Sequence, residues 1–409
     1  MNMSLRLAWR NLWRQPRRTW LTIGAMVFSN ALLVFMISIQ FGIYDLMIDN
    51  TLQSFTGHMQ VQAPGYKEDA RIRQSIPNVA SLALDLRQEL DLETIAARAA
   101  AFALASSEER SYGVQIFGVD PDYEPLVSTI PGLVRSGSFL EDNDAAEIVI
   151  GQVLARNLRV ELGDEITLLG SGRDGSFAAA VLAVVGIFDT GVPDMDRSIA
   201  EIPLGHFQNV FAMEGDGHQI VITAPNLDAT DALKPRVENF LPKDEGLVVH
   251  DWDALQPGLR QAIQADLSSA FFMYGVLVVL VAFSVLNTQL MSVLERTREF
   301  GVVMSLGLTP GRLGRIVLLE TAFMGLVSVA LGALLGGLIT MYFGYNGFSY
   351  PGMDEMAANF NLPDRFYPQA TIATLLLGPT IVFIGAILAA IYPALRLRWL
   401  EPVAAMRAA

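Results

Sequence analysis

The sequence predicts an α-helical integral membrane protein with four transmembrane helices and one large α+β domain outside the membrane. The chain is 52% hydrophobic and only 17% charged, whereas charged residues make up roughly a quarter of an average soluble protein. Four apolar windows are long enough to cross a bilayer, which takes about 20 residues. They are residues 19–41, 267–291, 316–343 and 370–395.

Basic residues cluster in three short segments outside these windows. Residues 1–18 carry five arginines and no acid, and segments 292–315 and 396–409 carry four and three more. Short segments rich in arginine or lysine stay in the cytoplasm, and four spans place all three segments on the same side. We therefore expect both termini in the cytoplasm, with residues 42–266 and 344–369 outside.

The large loop between the first two spans is acidic. Residues 43–265 contain 34 Asp and Glu against 15 Lys and Arg, and such a surface disfavours nucleic acid as a partner. The chain has no cysteine, which excludes disulfides and thiolate chemistry. No cleavage site of the small-x-small kind follows Phe41, so we interpret the first apolar run as a retained span, not a signal peptide.

Residues 4–15 have the pattern of an amphipathic helix that Pro16 ends. Leu5, Ala8, Trp9, Leu12 and Trp13 recur at helical spacing, opposite three arginines. A basic helix with tryptophan on its apolar face lies in the membrane interface. A segment that only orients the chain in the membrane is an equally good interpretation, and the two roles are compatible.

The outer domain is predicted to alternate helices and strands without a βαβ rhythm. Predicted helices are 43–55, 85–105 and 152–158, and predicted strands are 58–62, 112–119, 164–169, 177–188, 220–223 and 246–249. Gly170–Gly175 matches the dinucleotide fingerprint G-x-G-x-x-G. That fingerprint needs a helix after it, and a strand follows here, so we predict the turn of a hairpin.

A stalk helix is predicted to lead from the outer domain into the second span. Asp251 can cap it, and apolar residues recur every three or four positions from Trp252 to Leu267. Pro257 falls in its first two turns, where proline is tolerated. The pattern predicts an unbroken helix from 251 through 266 into the membrane, able to act as a rigid lever.

The third span carries two features of interest. Gly332 and Gly336 form a G-x-x-x-G pattern, which allows two helices to approach closely, either within this chain or between subunits. Glu320 lies about one turn into the span, where a carboxylate is costly unless it is paired. We expect Arg312 and Arg315 to neutralise it, in preference to a role in proton coupling.

The sequence shows no chemistry of its own for driving transport. The three lysines do not follow a glycine, so the phosphate-binding G-x-x-x-x-G-K-[ST] motif is absent. The four histidines lie singly in the outer domain, without the spacing of a metal site. We therefore expect no catalytic, metal or cofactor site in this chain, with ATP and magnesium bound by a partner subunit.

Three segments carry a resemblance to a known family. Glu295–Val303 with Leu306-Gly307 resembles the E-R-T-R-E-x-G segment of FtsX-like ABC permeases, a group that includes the macrolide exporter MacB and the lipoprotein-releasing permeases LolC and LolE. Tyr392-Pro393-Ala394 with Glu401–Arg407 resembles their closing segment, and Val184–Phe188 part of their outer domain. The resemblance covers essentially the whole chain and is closest in layout to LolC and LolE.

The resemblance implies an inner-membrane protein with a periplasmic domain of Porter-like and Sabre-like subdomains. It implies mechanotransmission, in which two ATPase subunits drive a dimer of permeases, either two copies or two paralogues, and cargo acts outside the membrane. A periplasmic carrier or adaptor would be a further partner. The segment implied to couple to the ATPase comprises Glu295, Arg296, Arg298 and Glu299 for charge contacts, Phe300, Val302, Val303 and Met304 as an apolar anchor, and Leu306.

The leading functional hypothesis is release of lipoproteins or another lipophilic cargo from the inner membrane. A second hypothesis is efflux of a drug, peptide or siderophore from the periplasm through an adaptor and an outer-membrane duct. A third is a signalling permease that activates a cell-wall hydrolase or a sensor and moves nothing.

Overall fold

The structure, a computed structural model, describes residues 3–242, 245–349, 351–353 and 365–399. It divides into two compact units, which we treat separately. The membrane unit holds the described residues of 1–44, 263–350 and 365–409, and the outer unit those of 45–262 and 351–364.

Helices make up the membrane unit and cover parts of the outer unit. In chain order they are α1 (Met3–Leu12), α2 (Pro16–Thr51), α3 (Val79–Leu90), α4 (Glu124–Val127), α5 (Gln152–Leu158), α6 (Pro193–Ser198), α7 (Leu204–Val210), α8 (Leu227–Phe240), α9 (Trp252–Leu255), α10 (Pro257–Glu295), α11 (Thr297–Ser305), α12 (Pro310–Asn346) and α13 (Ile372–Arg396). Short 3₁₀ turns span Ile130–Leu133 and Leu397–Trp399, and a π-helical turn, Leu52–Thr56, follows α2 directly.

One ten-stranded mixed sheet forms the centre of the outer unit. Its strands are β1 (Met59–Gln62), β2 (Ile95–Ser106), β3 (Ser111–Val119), β4 (Val134–Gly137), β5 (Glu147–Gly151), β6 (Glu165–Ser171), β7 (Phe177–Phe188), β8 (Ile199–Pro203), β9 (Gln219–Ile222) and β10 (Val248–Asp251). They run in the order β10-β1-β9-β2-β3-β8-β5-β7-β4, with β6 pairing β2 and β7. The β3–β8 and β5–β7 pairs are parallel.

The four predicted spans are confirmed as long apolar helices. Within the described residues, α2 with its π-turn, α10, α12, and α13 with its final turn are each long and apolar enough to cross a membrane. The first three helices extend beyond both ends of their predicted windows, and the fourth begins at Ile372 and continues past the end of its window. The first helix continues to the π-turn, as the pattern of 43–55 predicted. Gly57 closes that turn with a φ of 72°, a conformation that glycine adopts without strain.

The predicted helix over 85–105 is wrong after Leu90. Helix α3 ends at Leu90, where Asp91 takes a left-handed conformation (φ 53°), and β2 follows. The first six residues of β2 are all buried, because β9 and β3 flank them and both faces of the sheet are covered. Alanine favours helices when exposed, but here its small side chain suits a strand packed on both sides.

The predicted unbroken stalk helix is interrupted at Gln256. Asp251 does cap a helix, accepting a 3.1 Å hydrogen bond from the Ala254 amide, but that helix is the single turn α9. Gln256 has a ψ of 61°, and Pro257 starts α10. The interruption follows from proline sterics, which disfavour helical geometry in the residue before it.

Two predicted segments extend beyond the described residues. The outer loop 344–369 is described except at 350 and 354–364, and the tail 396–409 only through Trp399. The tail motif Glu401–Arg407 therefore lies outside the described residues.

The G-x-x-x-G pattern of the third span faces another helix of the same chain. A β-carbon at Gly332 would lie 2.3 Å from the Asn30 β-carbon, and one at Gly336 would lie 2.7 Å from the Val34 β-carbon. The side-chain amide of Asn30 donates to the Ser328 carbonyl across the same contact, at 3.1 Å. Helices α2 and α12 therefore pack backbone to backbone.

We expect Gly332→Ala to destabilise the membrane unit by about 1–3 kcal/mol, the usual cost of overpacking. The added methyl group has no room against α2. Thermal unfolding of the full chain in detergent measures the effect. Gly275→Ala in α10 is the matched control, since no described atom lies within 4 Å of the β-carbon it would add; equal midpoints for both variants would contradict the packing.

Candidate coupling site

Helix α11 is a short helix held between two long ones. Its N-cap, Arg296, separates it from α10 by a single residue with a φ of −98° and a ψ of 10°. Gly307 (φ +98°) lies in the turn that leads to α12, where the left-handed conformation favours glycine. The predicted coupling segment 292–315 is therefore a helix between two sharp turns.

One face of α11 is buried in the membrane unit. Phe300 and Met304 belong to a cluster with Val293, Leu313, Val317, Ala394 and Leu397, and Val303 packs against its edge. Aliphatic and aromatic burial of this kind is what fixes an amphipathic helix on its support. Phe300 and Met304, which the resemblance assigns to an apolar anchor for the ATPase, are therefore both buried within the membrane unit.

The opposite face carries an exposed stripe, which we call the outer stripe: Arg298, Val302 and, at its C-terminal cap, Leu306. These residues recur every four positions, so they share one side of the segment. Leu306 is 83% exposed and Val302 45%. The outer stripe therefore offers a partner an exposed surface with one positive charge and two apolar side chains.

Polar side chains fasten α11 to α1 and α12, and we call them the charge clamp: Asn11, Arg14, Arg296, Glu299 and Glu320. Arg14 donates to both oxygens of Glu299, at 3.0 and 3.2 Å. Arg296 donates to both oxygens of Glu320, at 3.2 and 3.4 Å, and Asn11 donates to Glu320 at 2.9 Å. The clamp thus joins the N-terminal segment to α11 and α12, which lie nearly 300 residues later in the sequence.

The two hydrogen-bonded ion pairs of the clamp differ in environment. Arg14 and Glu299 are both about half exposed, so their pair contributes at most about 1 kcal/mol. Arg296 and Glu320 are 16% and 8% exposed, and removing one partner of such a pair leaves the other charge buried and unpaired. Nearby, Arg18 pairs with Glu295 at 3.1 Å. The clamp residues and Arg18 line a cavity of about 220 Å³.

The expected partners of Glu320 are corrected. Arg312 and Arg315 lie on the exposed side of α12, whereas Glu320 is buried toward α1 and α11. Its neutralising charge comes from Arg296, a residue assigned to ATPase contacts from the sequence. Glu295 and Glu299, assigned to the same contacts, form ion pairs with Arg18 and Arg14.

A second polar site, in the outer unit, holds the π-turn that ends the first membrane helix. The carbonyls of Gln53 and Ser54 accept from the Thr129 amide at 3.0 Å and the Ser128 hydroxyl at 2.9 Å. The Phe55 carbonyl accepts from Arg98 at 2.5 Å. These donors replace the helical hydrogen bonds that a helix end lacks.

Gln256, which precedes α10, forms a hydrogen bond with the same π-turn. Its side-chain amide donates to the Thr56 hydroxyl at 3.0 Å. The end of the first membrane helix and the start of the second are therefore fastened at one place in the outer unit.

Arg98 is the centre of this anchor and was missed from the sequence. It is fully buried on β2 and pairs with both oxygens of the equally buried Glu124, at 2.9 and 2.5 Å. Glu201 on β8 is also fully buried, with no hydrogen bond among the described residues. Burial, then the nearby Glu124 charge, raises the pKa of Glu201 well above its usual range. A lone arginine in an alanine-rich run was the available signal.

Two family models match the chain, and together they cover most of it. One, described as the MacB-like periplasmic core domain, matches residues 19–240, and the other, the FtsX-like permease C-terminal domain, matches residues 271–402. The chain is an ABC transporter permease of the MacB/LolC family. The resemblance stated from the sequence is thereby confirmed, and so is the fold class of four membrane helices with a periplasmic α+β core.

Relatives of this permease include both LolC and MacB proteins. It is 25% identical over 332 residues to the lipoprotein-releasing system transmembrane protein LolC of Neisseria meningitidis, which covers 75% of each chain. It is 22% identical over 316 residues to LolC of Xylella fastidiosa, covering 73% of this chain and 74% of LolC. It is 25% identical over 431 residues to the macrolide export ATP-binding/permease protein MacB of Rhodospirillum rubrum, covering 99% of this chain and 60% of MacB.

We expect Arg98→Met to lower the free energy of unfolding of the permease by about 3–5 kcal/mol, because Glu124 is left as a buried, unpaired charge. Thermal unfolding of the full chain in detergent, followed by near-ultraviolet circular dichroism, measures the change. The control is Arg110→Met, since Arg110 is only partly buried and has no carboxylate partner among the described residues. An unchanged midpoint for Arg98→Met would contradict the anchor.

We expect Glu201→Gln, unlike Arg98→Met, to increase the free energy of unfolding of the permease at pH 8. Because the pKa of Glu201 is raised in the folded state, its contribution to stability is present at acid pH and is lost as the pH rises toward the folded-state pKa. Glutamine stays neutral, so the variant should unfold at a higher temperature than wild type at pH 8, with the difference vanishing near pH 4. A variant less stable than wild type at pH 8 would show that Glu201 is held as a carboxylate.

Proposed function

We propose that this permease is the membrane subunit of an ABC transporter that releases lipoproteins, or another lipophilic cargo, from the inner membrane. A separate ATPase subunit, in two copies, would bind ATP and magnesium. A second permease, either another copy or a paralogue, would complete the transporter. The single observation that carries the proposal is the arrangement of α11, with one face clamped into the membrane unit and the other exposed.

The clamped helix supports a mechanical role. A helix that docks a partner through one face transmits its motion only if its other face is firmly attached. Phe300 and Met304 attach α11 by packing, and Arg296 attaches it through a buried ion pair. The outer stripe then remains for the ATPase, with Arg298 for a charge contact and Val302 and Leu306 for apolar contacts.

The arginine distribution supports the orientation. The clamp joins residues of the basic segments 1–18 and 292–315, and arginine-rich segments stay on the cytoplasmic side. Both termini and α11 would then face the cytoplasm, where ATP is available, and the acidic outer unit would face the periplasm.

The relatives support a lipophilic cargo. The alignments with LolC proteins, which are named as lipoprotein-releasing, cover about three quarters of this chain and about three quarters of each LolC chain. Helix α10 also leaves most of its apolar surface uncovered by the rest of the chain, which supports lipid and a second permease as its neighbours. A periplasmic carrier protein would receive the released cargo.

Efflux from the periplasm is the second candidate. MacB of Rhodospirillum rubrum, named as a macrolide exporter, aligns with 99% of this chain. In that case an adaptor protein would take the place of the carrier.

Depletion of the permease in its own host, followed by proteomics of separated inner and outer membranes, distinguishes these functions. We expect lipoproteins to accumulate several-fold in the inner membrane, because their release is blocked, and re-expression of the wild-type permease to restore their distribution. Unchanged lipoproteins together with increased sensitivity to a drug would overturn the lipoprotein proposal in favour of efflux. Unchanged lipoproteins with a cell-wall or signalling defect would favour an FtsX-like regulatory role.

A further inference from the structure

The N-terminal arginines divide into two groups. Arg14 and Arg18 are paired with Glu299 and Glu295. Arg6, Arg10 and Arg17 are exposed, and within the described residues they form no ion pair. Residues 1–18 contain no acidic side chain at all, so three positive charges remain without a counter-charge from the segment itself.

Three tryptophans lie beside these free arginines. The rings of Trp9 and Trp13 are 5.8 Å apart and those of Trp13 and Trp20 are 5.7 Å apart. Trp9 also contacts the ring of Phe323 on the third span, at 5.6 Å. All three indoles remain between about a third and a half exposed, although large aromatic rings are normally buried or placed at a membrane interface.

The two groups alternate along one short segment. Arg6 and Arg10 are one helical turn apart on α1, so their side chains are neighbours. Trp9 lies between them in the sequence, and Trp13 directly follows the end of the helix. Arg17 and Trp20 continue the alternation in the first turns of α2. Exposed cations and exposed indoles therefore share residues 6–20, the combination that suits the boundary between phosphate headgroups and acyl chains.

We propose that Arg6, Arg10 and Arg17, with Trp9, Trp13 and Trp20, form a binding site for anionic phospholipid headgroups of the inner leaflet. The guanidinium groups would bind the lipid phosphates, and the indoles would lie at the level of the glycerol backbone. Each basic side chain near an anionic surface contributes about a fivefold preference, so three together give a preference on the order of a hundredfold.

The site is connected to the charge clamp. Asn11 and Arg14 lie on the same short segment and hold Glu320 and Glu299. A bound headgroup would therefore fix the support against which α11 is clamped. This inference rests on the proposed cytoplasmic location of α1, but lipid binding can be measured on the permease alone, without ATPase or cargo.

Quenching of tryptophan fluorescence by brominated lipids tests the proposal. Trp252→Phe and Trp399→Phe leave the three interfacial tryptophans as the only ones of the five in the chain. This full-length chain is placed in phosphatidylcholine nanodiscs with a small, equal fraction of brominated phosphatidylglycerol or brominated phosphatidylcholine. We expect markedly stronger quenching by the anionic lipid, and at least a tenfold loss of that preference in the triple variant Arg6→Gln, Arg10→Gln, Arg17→Gln.

The matched control removes three exposed arginines from the second basic segment, 292–315: Arg298→Gln, Arg312→Gln and Arg315→Gln. It should keep the preference. Equal quenching by the two lipids in the parent chain would overturn the proposal, and so would an equal loss of preference in both triple variants. Abolition of the preference by free inorganic phosphate would also overturn it, since the site would then bind a soluble anion.

Discussion

The arrangement of the membrane unit depends on one buried carboxylate. Glu320 is 8% exposed inside a long apolar helix, where an unpaired charge is costly. Its partner is Arg296, the N-cap of α11, so neutralising the charge requires α11 to lie in one place. Asn11 completes the coordination of the carboxylate from α1, which ties the N-terminal helix to the same point. A single electrostatic constraint thus sets the relation between three elements.

This constraint gives the two faces of α11 different roles. Phe300 and Met304, buried beside the ion pair, fix the helix, and the outer stripe is left exposed. Glu295, Arg296 and Glu299, which the resemblance assigns to charge contacts with the ATPase, also form ion pairs within the permease. In the outer unit, the Arg98–Glu124 pair has a comparable effect on the π-turn, because Arg98 holds the end of the first membrane helix by the Phe55 carbonyl.

The sequence predicted what depends on local pattern. Hydropathy windows located all four spans, since a span needs only length and apolar composition, and alternation located most strands, including the β6–β7 hairpin. Prediction from the sequence failed where contacts with neighbouring elements determine the structure. The alanine-rich β2 is a strand only because other strands and helices cover it, and the partner of Glu320 depends on how α11 and α12 face each other. The break at Gln256 was within reach, because the sterics of Pro257 act on the residue before it.

The most direct test of the central claim is co-purification of the permease with the ABC ATPase of its own host. We predict that Arg298→Glu with Leu306→Asp, which alters only the outer stripe, reduces the bound ATPase at least tenfold while the thermal midpoint of the permease stays unchanged. Arg312→Glu, the same charge reversal on the first turn of α12, should retain the ATPase at the wild-type level. Full retention of the ATPase by the outer-stripe variant would contradict the assignment of α11 as the coupling helix.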